Sequence, residues 1–361
     1  MKKTILRPLA LLLSAAMLFT ACSKNTSSSD NAQAPSGESK GYKLKISYNG
    51  SLCEAPTQMA DTLGFFAAEG LDYEMVRVDA AQMAEAVGSG KVDAGFGLLG
   101  KFMQPIVENG LDMKITAGIH TGCTRILVPQ DSDIKTVADL KGKVVGTTGL
   151  GAAAPTIITR RALLHAGLDG TETTKDVEFK VFGGAELAQA LENGAVDAIA
   201  NSDPQAAIAQ KEYNLRALVD TATTDDFKDE YCCISFVTGK TAQEHPEEAA
   251  KFTRAVLKAA QWVENHKDET AQLQIAKNWI AGEPESNAEV LKTYSYKPDI
   301  NGGITALEAT IPDLQTLKLI SSEKSAKDII SEITYKPEGV TNDDFAGEIV
   351  PPNDPKEILG Q

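Results

Sequence analysis

Aromatic residues supply only 6% of this 361-residue chain, and it has just two tryptophans. Trp262 and Trp279 both fall in a helical stretch far along the sequence, so the stacked ring platforms of a carbohydrate site are missing. Histidine is scarce as well, with four in total. Neither His-Glu-x-x-His nor Gly-x-Ser-x-Gly occurs, which removes the zinc-hydrolase and serine-hydrolase patterns. Basic residues are outnumbered, 35 against 50 acidic, for a net charge of −15. A nucleic-acid partner needs a basic surface and is excluded on that ground. Five cysteines are present, but no Cys-x-x-Cys. The leading apolar stretch, Leu9 to Phe19, is too short to cross a bilayer as a helix.

What the N-terminus does have is the pattern of a targeting segment. Lys2, Lys3 and Arg7 precede the apolar stretch, and Leu18-Phe19-Thr20-Ala21-Cys22 resembles a bacterial lipobox. Phe19 stands where that pattern has leucine. The expectation is a signal peptide over 1–21, a diacylglycerol lipid on Cys22, and attachment to the outer face of the cytoplasmic membrane. From Ser23 to Gly41 no large apolar residue appears, so 22–41 reads as a flexible tether reaching roughly 25 Å.

The remainder repeats itself. Ala84-Glu-Ala-Val-Gly-Ser-Gly-Lys-Val-Asp-Ala-Gly-Phe-Gly97 returns as Ala188-Gln-Ala-Leu-Glu-Asn-Gly-Ala-Val-Asp-Ala-Ile-Ala-Asn201. Tyr48–Thr57 is echoed by Thr147–Thr156, and Gly70-Leu71-Asp72 by Gly167-Leu168-Asp169. A period of roughly 100 residues is about twice the longest solenoid repeat, so it describes two lobes of one architecture. Each lobe reads β-α-β-α-β, which implies α/β lobes with mostly parallel sheets. The strands are expected at 44–48, 73–78 and 92–96, then at 143–147, 177–182 and 196–200. Ile126-Leu127-Val128 and Cys233–Val237 read as the crossing strands of a two-strand hinge. Lobe one is then 42–125 plus 236–361 and lobe two 126–235. A long helix from Pro246 through Phe252, Val256, Ala259, Ala260 and Val263 should pack on lobe one, with the tail after 281 wrapping it.

Ligands of such sheets bind beyond the carboxyl ends of the strands. That rule selects Asn49, Ser51 and Cys53, then Leu98 and Leu99, from lobe one. From lobe two it selects Gly149, Gly151, Ala152 and Ala153, then Asn201, Asp203 and Gln205. Gly149-Leu-Gly-Ala-Ala-Ala154 fits Gly-x-Gly-x-x-Ala after a strand, yet the matching loop of lobe one lacks glycines and Asp169 sits at a helix end. A glycine-rich mouth offering backbone N–H groups is the better reading than a dinucleotide site. Asp203 reads either as a helix cap or as a ligand contact. Lys101 and Arg125 are the nearby cations, neither evidently aimed inward, which disfavours a multiply charged anion. Tyr48 and Tyr231 are candidate one-sided stacking surfaces. Neither a cofactor nor a resident metal is expected.

Three motifs in order resemble a known family. Gly64-Phe-Phe-Ala-Ala-Glu-Gly-Leu-Asp72, Asp139-Leu-Lys-Gly-Lys-Val-Val-Gly146 and His245-Pro-Glu-Glu248 through Ala260 resemble the nitrate/taurine/sulfonate type of ABC transporter solute-binding proteins. The resemblance spans about 42–280. It implies a type II periplasmic-binding-protein architecture and capture of a small polar or mono-anionic organic solute. A sulfonate, a nitrate-like ion or a pyrimidine precursor would qualify. It also implies monomeric delivery to a cognate permease and its ATPase. The same superfamily includes thiamine-pyrimidine-precursor binders and a pyrimidine synthase with a cysteine cluster, so a synthase-like enzyme is the alternative.

Apart from Cys22, each cysteine maps to a cleft loop or a crossing strand: Cys53, Cys123, Cys232 and Cys233. They are expected near one another as a disulfide, as small buried apolar groups, or as a site for a ligand, soft metal or redox chemistry. Cys53 with Cys123 is the pair expected to bridge first. His120, in His120-Thr-Gly-Cys123, reads as structural or as a partner of that site.

Overall fold

The computed structural model describes residues 42–361, so the lipidation reading at Cys22 and the tether lie outside the described residues. No helix among the described residues is long and apolar enough to cross a membrane. In chain order the strands are β1 (Leu44–Tyr48), β2 (Tyr73–Arg77), β3 (Ala94–Leu98), β4 (Met113–Thr121), β5 (Thr124–Pro129) and β6 (Lys143–Thr147). After them come β7 (Val177–Val181), β8 (Ala198–Ser202), β9 (Leu215–Asp220), β10 (Tyr231–Thr238) and β11 (Ser295–Asp299). They make two sheets, β11-β4-β10-β3-β1-β2 and β7-β6-β8-β5-β9.

Each sheet is mixed. The β-α-β units give the parallel pairs β1/β2, β1/β3, β6/β7 and β6/β8. The antiparallel pairs all involve β4, β5, β9, β10 or β11, the crossing and returning strands that lie outside the repeated unit. "Mostly parallel" therefore describes the repeats and not the sheets as wholes.

Apolar alternation fixes the faces. On β10, Cys233 and Val237 enter the core with Leu44, Ile46 and Phe96, whereas Ile234 and Phe236 enter the opposite one with Phe102 and Ile311. On the second sheet Ile126 and Val128 face one core and Leu127 the other. This is the period-two geometry of a strand buried on both sides. The helix Pro246–Asn265 starts with proline at its first turn and Glu247 and Glu248 beside it, where the dipole favours negative charge. Its apolar stripe, Phe252, Val256, Ala259, Ala260 and Val263, packs in the first sheet's core as the spacing predicts. Full burial of a Phe or Val side chain contributes about 1.5–3 kcal/mol.

The repeat has a physical cause. Asp93 and Asp197 stand at equivalent places before β3 and β8. Asp93 Oδ2 accepts the Lys45 N–H at 2.9 Å, and Asp197 Oδ2 accepts the Val144 N–H at 2.8 Å. Each thereby ties the start of its lobe's first strand to the third. At both places the carboxylate closes that backbone donor.

The chain crosses between Thr121 and Thr124 and returns between Asp220 and Tyr231. Tyr231–Thr238 pairs entirely within the first sheet, so the return precedes the expected boundary at 235. Both passages meet at one residue. Thr221 Oγ1 accepts the Cys123 and Thr124 N–H groups at 3.1 Å each and donates to the Thr124 carbonyl. Gly122 lies between, at φ +75° with Ala222 against it; a Cβ there would come within 2.5 Å of the Ala222 Cβ. Only glycine fits that backbone.

Candidate functional site

The two sheets present their strand ends to a common cleft of about 820 Å³. Asn49, Ser51, Cys53 and Leu98 line it from the first sheet. Ala152, Ala153, Asn201, Asp203 and Gln205 line it from the second, with Cys123 at the crossing. These ten are predicted site residues; nine lie at the carboxyl ends of strands with parallel partners, and Cys123 follows β4, which is antiparallel to both its neighbours.

Five other predicted residues sit off the cleft wall. Leu99 and Tyr231 face a separate small apolar pocket between the helices Leu99–Asn109 and Ala154–His165. Gly149 turns its carbonyl to the Thr156 hydroxyl, and Gly151 faces Glu172 on a shallow outer groove. His120 is fully buried on β4, one layer below the floor. Strand alternation explains His120, since a one-residue step turns a side chain to the opposite face; Leu99 begins the helix Leu99–Asn109 and is turned away by the helix start.

The first loop is held by Glu54. Its buried carboxylate accepts the backbone N–H groups of Asn49, Gly50 and Ser51 at 2.9, 3.0 and 3.3 Å. The loop is fixed from within, where Asn49 Oδ1 accepts the Ser51 N–H at 2.8 Å and the Ser51 hydroxyl lies 3.5 Å from the Cys53 sulfur. Across the cleft, Asn201 is 3% exposed. Its amide donates to the Gly184 carbonyl and its Oδ1 accepts the Ser202 N–H.

Asp203 is deeply placed. Oδ1 accepts the Ala207 N–H at 2.9 Å from the position before the N-cap Pro204, and Oδ2 lies 3.3 Å from Arg125 Nη2. Burial pushes its carboxyl up to about 7, against the pull of Arg125. Arg125 is itself buried and reaches Asp220 at 3.3 Å, so it serves this inner pair and not the cavity.

Sequence reasoning named Lys101 without aiming it at the cleft, and it missed Phe96. Lys101 lines the cleft from the first turn of the helix Leu99–Asn109 and has no ion pair among the described residues. The signal was its place three residues past a strand end. Phe96 and Phe102 contribute ring edges to the wall, an aromatic share that neither tryptophan reveals. Tyr48 packs edge-on against Trp279, centroids 4.9 Å apart. Two helix starts open on the cleft without side-chain caps, at Leu98 and Ala153. Their first-turn N–H groups are available to a bound oxygen.

Beneath the floor the four cysteines converge, all as free thiols. The Cys123 and Cys232 sulfurs are 3.2 Å apart and those of Cys232 and Cys233 3.7 Å. The close pair is thus Cys123 with Cys232, not Cys53 with Cys123, because β10 runs beside the crossing segment. A hydrogen bond from Cys233, then His120, holds Cys53 well below the usual thiol range. Burial opposes ionisation of Cys232, but the thiols of Cys123 and Cys233 bring it down to about 6. His120 is stacked between Phe96 and Tyr294, at 5.8 and 5.3 Å.

Comparison with known proteins adds relatives to this geometry. The NMT1/THI5-like family model matches residues 54–270. A Bacillus subtilis (strain 168) protein named for aliphatic sulfonates binding is 27% identical over 275 residues, 73% of this chain and 76% of that one. The Escherichia coli periplasmic aliphatic sulphonate binding protein SsuA superposes with a TM-score of 0.65 at 20% identity. The alignment covers 83% of this chain and 94% of SsuA. The periplasmic nitrate-binding protein NrtA from Synechocystis PCC 6803 gives 0.65 at 17% identity, covering 89% and 98%. The two structures share this fold.

Proposed function

The chain belongs to the NMT1/THI5-like family, and from that premise we propose that it is the extracytoplasmic solute-binding component of an ABC importer. It captures a small polar or mono-anionic organic solute between its lobes and hands it to the permease and ATPase. The observation that carries this reading is the 820 Å³ cleft, lined from both sheets by the ends of equivalent strands. A fixed catalyst needs no such symmetry, whereas two jaws on a short hinge do.

The lining suits one negative charge. Among the described residues Lys101 is the one cation of the lining, and the uncapped starts at Leu98 and Ala153 add backbone donors. Phe96, Leu98 and Met83 give the remainder an apolar wall. A sulfonate, a nitrate-like ion or an anionic pyrimidine precursor fits that balance; a doubly charged phosphate lacks a second cation. The relatives named for sulfonate and nitrate binding support this class. The chain acts as a monomer, without catalysis, and is tethered to the outer membrane face through a lipid on Cys22.

Native mass spectrometry of freshly isolated protein tests the reading by revealing a retained solute. A thermal-shift panel of alkanesulfonates, nitrate and aminopyrimidines then ranks classes. A ligand at a hundred times its Kd stabilises the folded state by about 2.7 kcal/mol. Absence of any shift across the panel, or chemical turnover of the ligand that binds, would count against it.

A further inference from the structure

Solute capture through Lys101 and the helix starts leaves unused the densest chemical feature of the molecule. One ligand atom from each of Cys123, Cys232 and Cys233 falls within 4.8 Å of the other two, and the same holds for Cys53, His120 and Cys233. We propose that Cys123, Cys232 and Cys233 form a three-coordinate thiolate site for a soft d10 cation, copper(I), with Cys53 and His120 as the donors beside it.

The spacing fits. Metal–sulfur bonds of about 2.3 Å place three sulfurs around one ion about 4.0 Å apart in a trigonal plane. The Cys232–Cys233 separation is 3.7 Å and the Cys123–Cys232 separation 3.2 Å, so a rotation of Cys123 away from Cys232 opens the triangle to fit the ion. The two trios share Cys233, and no fourth donor joins either within 4.8 Å among the described residues. Zinc in a closed site wants four ligands in a tetrahedron. Thiolates without carboxylates or carbonyls select copper(I) over magnesium, calcium or manganese. Three sulfurs and no fourth ligand point to copper(I) specifically.

His120 supplies an independent observation. It is fully buried and its Nε2 has no hydrogen-bond partner, a costly state for a polar atom. Its Nδ1 lies 3.4 Å from the Thr121 carbonyl oxygen and 3.6 Å from Cys232 Sγ. A proton on Nδ1 leaves the Nε2 lone pair free, the arrangement by which proteins hold a metal-binding tautomer. The route in is present too, because Cys53 and Cys123 line the solute cleft. Binding releases the remaining thiol protons to water as the sulfurs coordinate. No electron is transferred, so no oxidant is required, in contrast to a Cys123–Cys232 disulfide.

The test uses the mature chain, reduced and handled without oxygen, titrated with copper(I) acetonitrile complex against a chromogenic copper(I) chelator. One copper per chain should leave the chelator, and X-ray absorption should report three sulfur neighbours. Cys232→Ser should weaken retention at least about a hundredfold, and Cys53→Ser about tenfold. On the unaltered chain, bound copper should shield Cys123, Cys232 and Cys233 from alkylation, which keeps the test valid if a variant misfolds. Copper staying with the chelator, preferential retention of zinc(II) or iron(II), or a Cys123–Cys232 disulfide in freshly isolated protein would each overturn the proposal. Solute-induced thermal shifts measured on the copper-free protein separate its failure from that of the importer reading.

Discussion

Lys101 is the residue on which ligand charge turns. A charge-assisted hydrogen bond contributes roughly 1.5–3 kcal/mol, so Lys101→Met should weaken an anionic solute by about tenfold to a hundredfold. Its fold should be untouched, since the side chain has no ion pair to lose. Equal affinity of the two proteins, measured by calorimetry, would place the anion elsewhere. Asp203 makes a pH prediction. Its carboxyl is raised by burial from 3.8 to about 7 in the folded chain. Between about pH 4 and pH 7 the unfolded chain has released a proton that the folded chain still holds. Stability therefore falls as pH rises through that window and levels off above it, by an amount on the order of 4 kcal/mol. Chemical denaturation across the window should show this slope, and Asp203→Asn should flatten it. A slope that survives the substitution would assign it to another group. Asn201 and Asp203 looked free of packing in the sequence; both prove buried and bonded within the protein, so their alanine variants mix stability with binding. Cys22→Ala should release the protein from the membrane fraction or block its processing, as fractionation would show.

At the level of elements, the two crossings depend on backbone that side chains cannot replace. Gly122 holds a left-handed conformation against Ala222, and Thr221 ties both passages with three hydrogen bonds. Gly122→Ala should cost at least about 1–3 kcal/mol of stability through backbone strain and the clash. It should also slow solute-induced closure, read by stopped-flow fluorescence. Unchanged closure kinetics would remove the hinge role from this turn. Asp93 and Asp197 teach a second lesson at this scale. The repeat survives in the sequence where it makes equivalent strand ties, and it fades in the loops, where one lobe uses Glu54 and the other Thr156 to hold the mouth.

Across the whole molecule, the lobes are linked by more than the hinge. Arg161, on the helix Ala154–His165 beside the second sheet, reaches Glu230 at 2.7 Å and Asp313 at 2.8 Å. Asp313 lies on the helix Gly302–Thr316, whose Ile311 and Leu314 pack in the first sheet's core. This pair joins the lobes outside the cleft lining. Small-angle scattering should show compaction on solute binding, and Asp313→Ala should leave the unliganded molecule more expanded than the parent chain. Identical scattering with and without a solute that binds tightly would mean the jaws do not move.

The sequence by itself determined the two-lobed α/β plan, the loops that face the cleft and the long helix on the first lobe. Those follow from periodicity, proline and glycine positions, and an internal repeat, all local and written in chain order. The tertiary structure alone decided what depends on pairs distant in sequence. Cys123 meets Cys232 across 109 residues, and Arg125 turns inward to Asp203 and Asp220 because β5 lies between β8 and β9. Lys101 turns into the cleft, while Leu99 and His120 turn out of it. Which face a side chain takes at a strand end, and which neighbour meets it there, is set by register and sheet order. One residue of shift reverses the answer, so a pattern of residue types names the loops but cannot choose among the side chains on them.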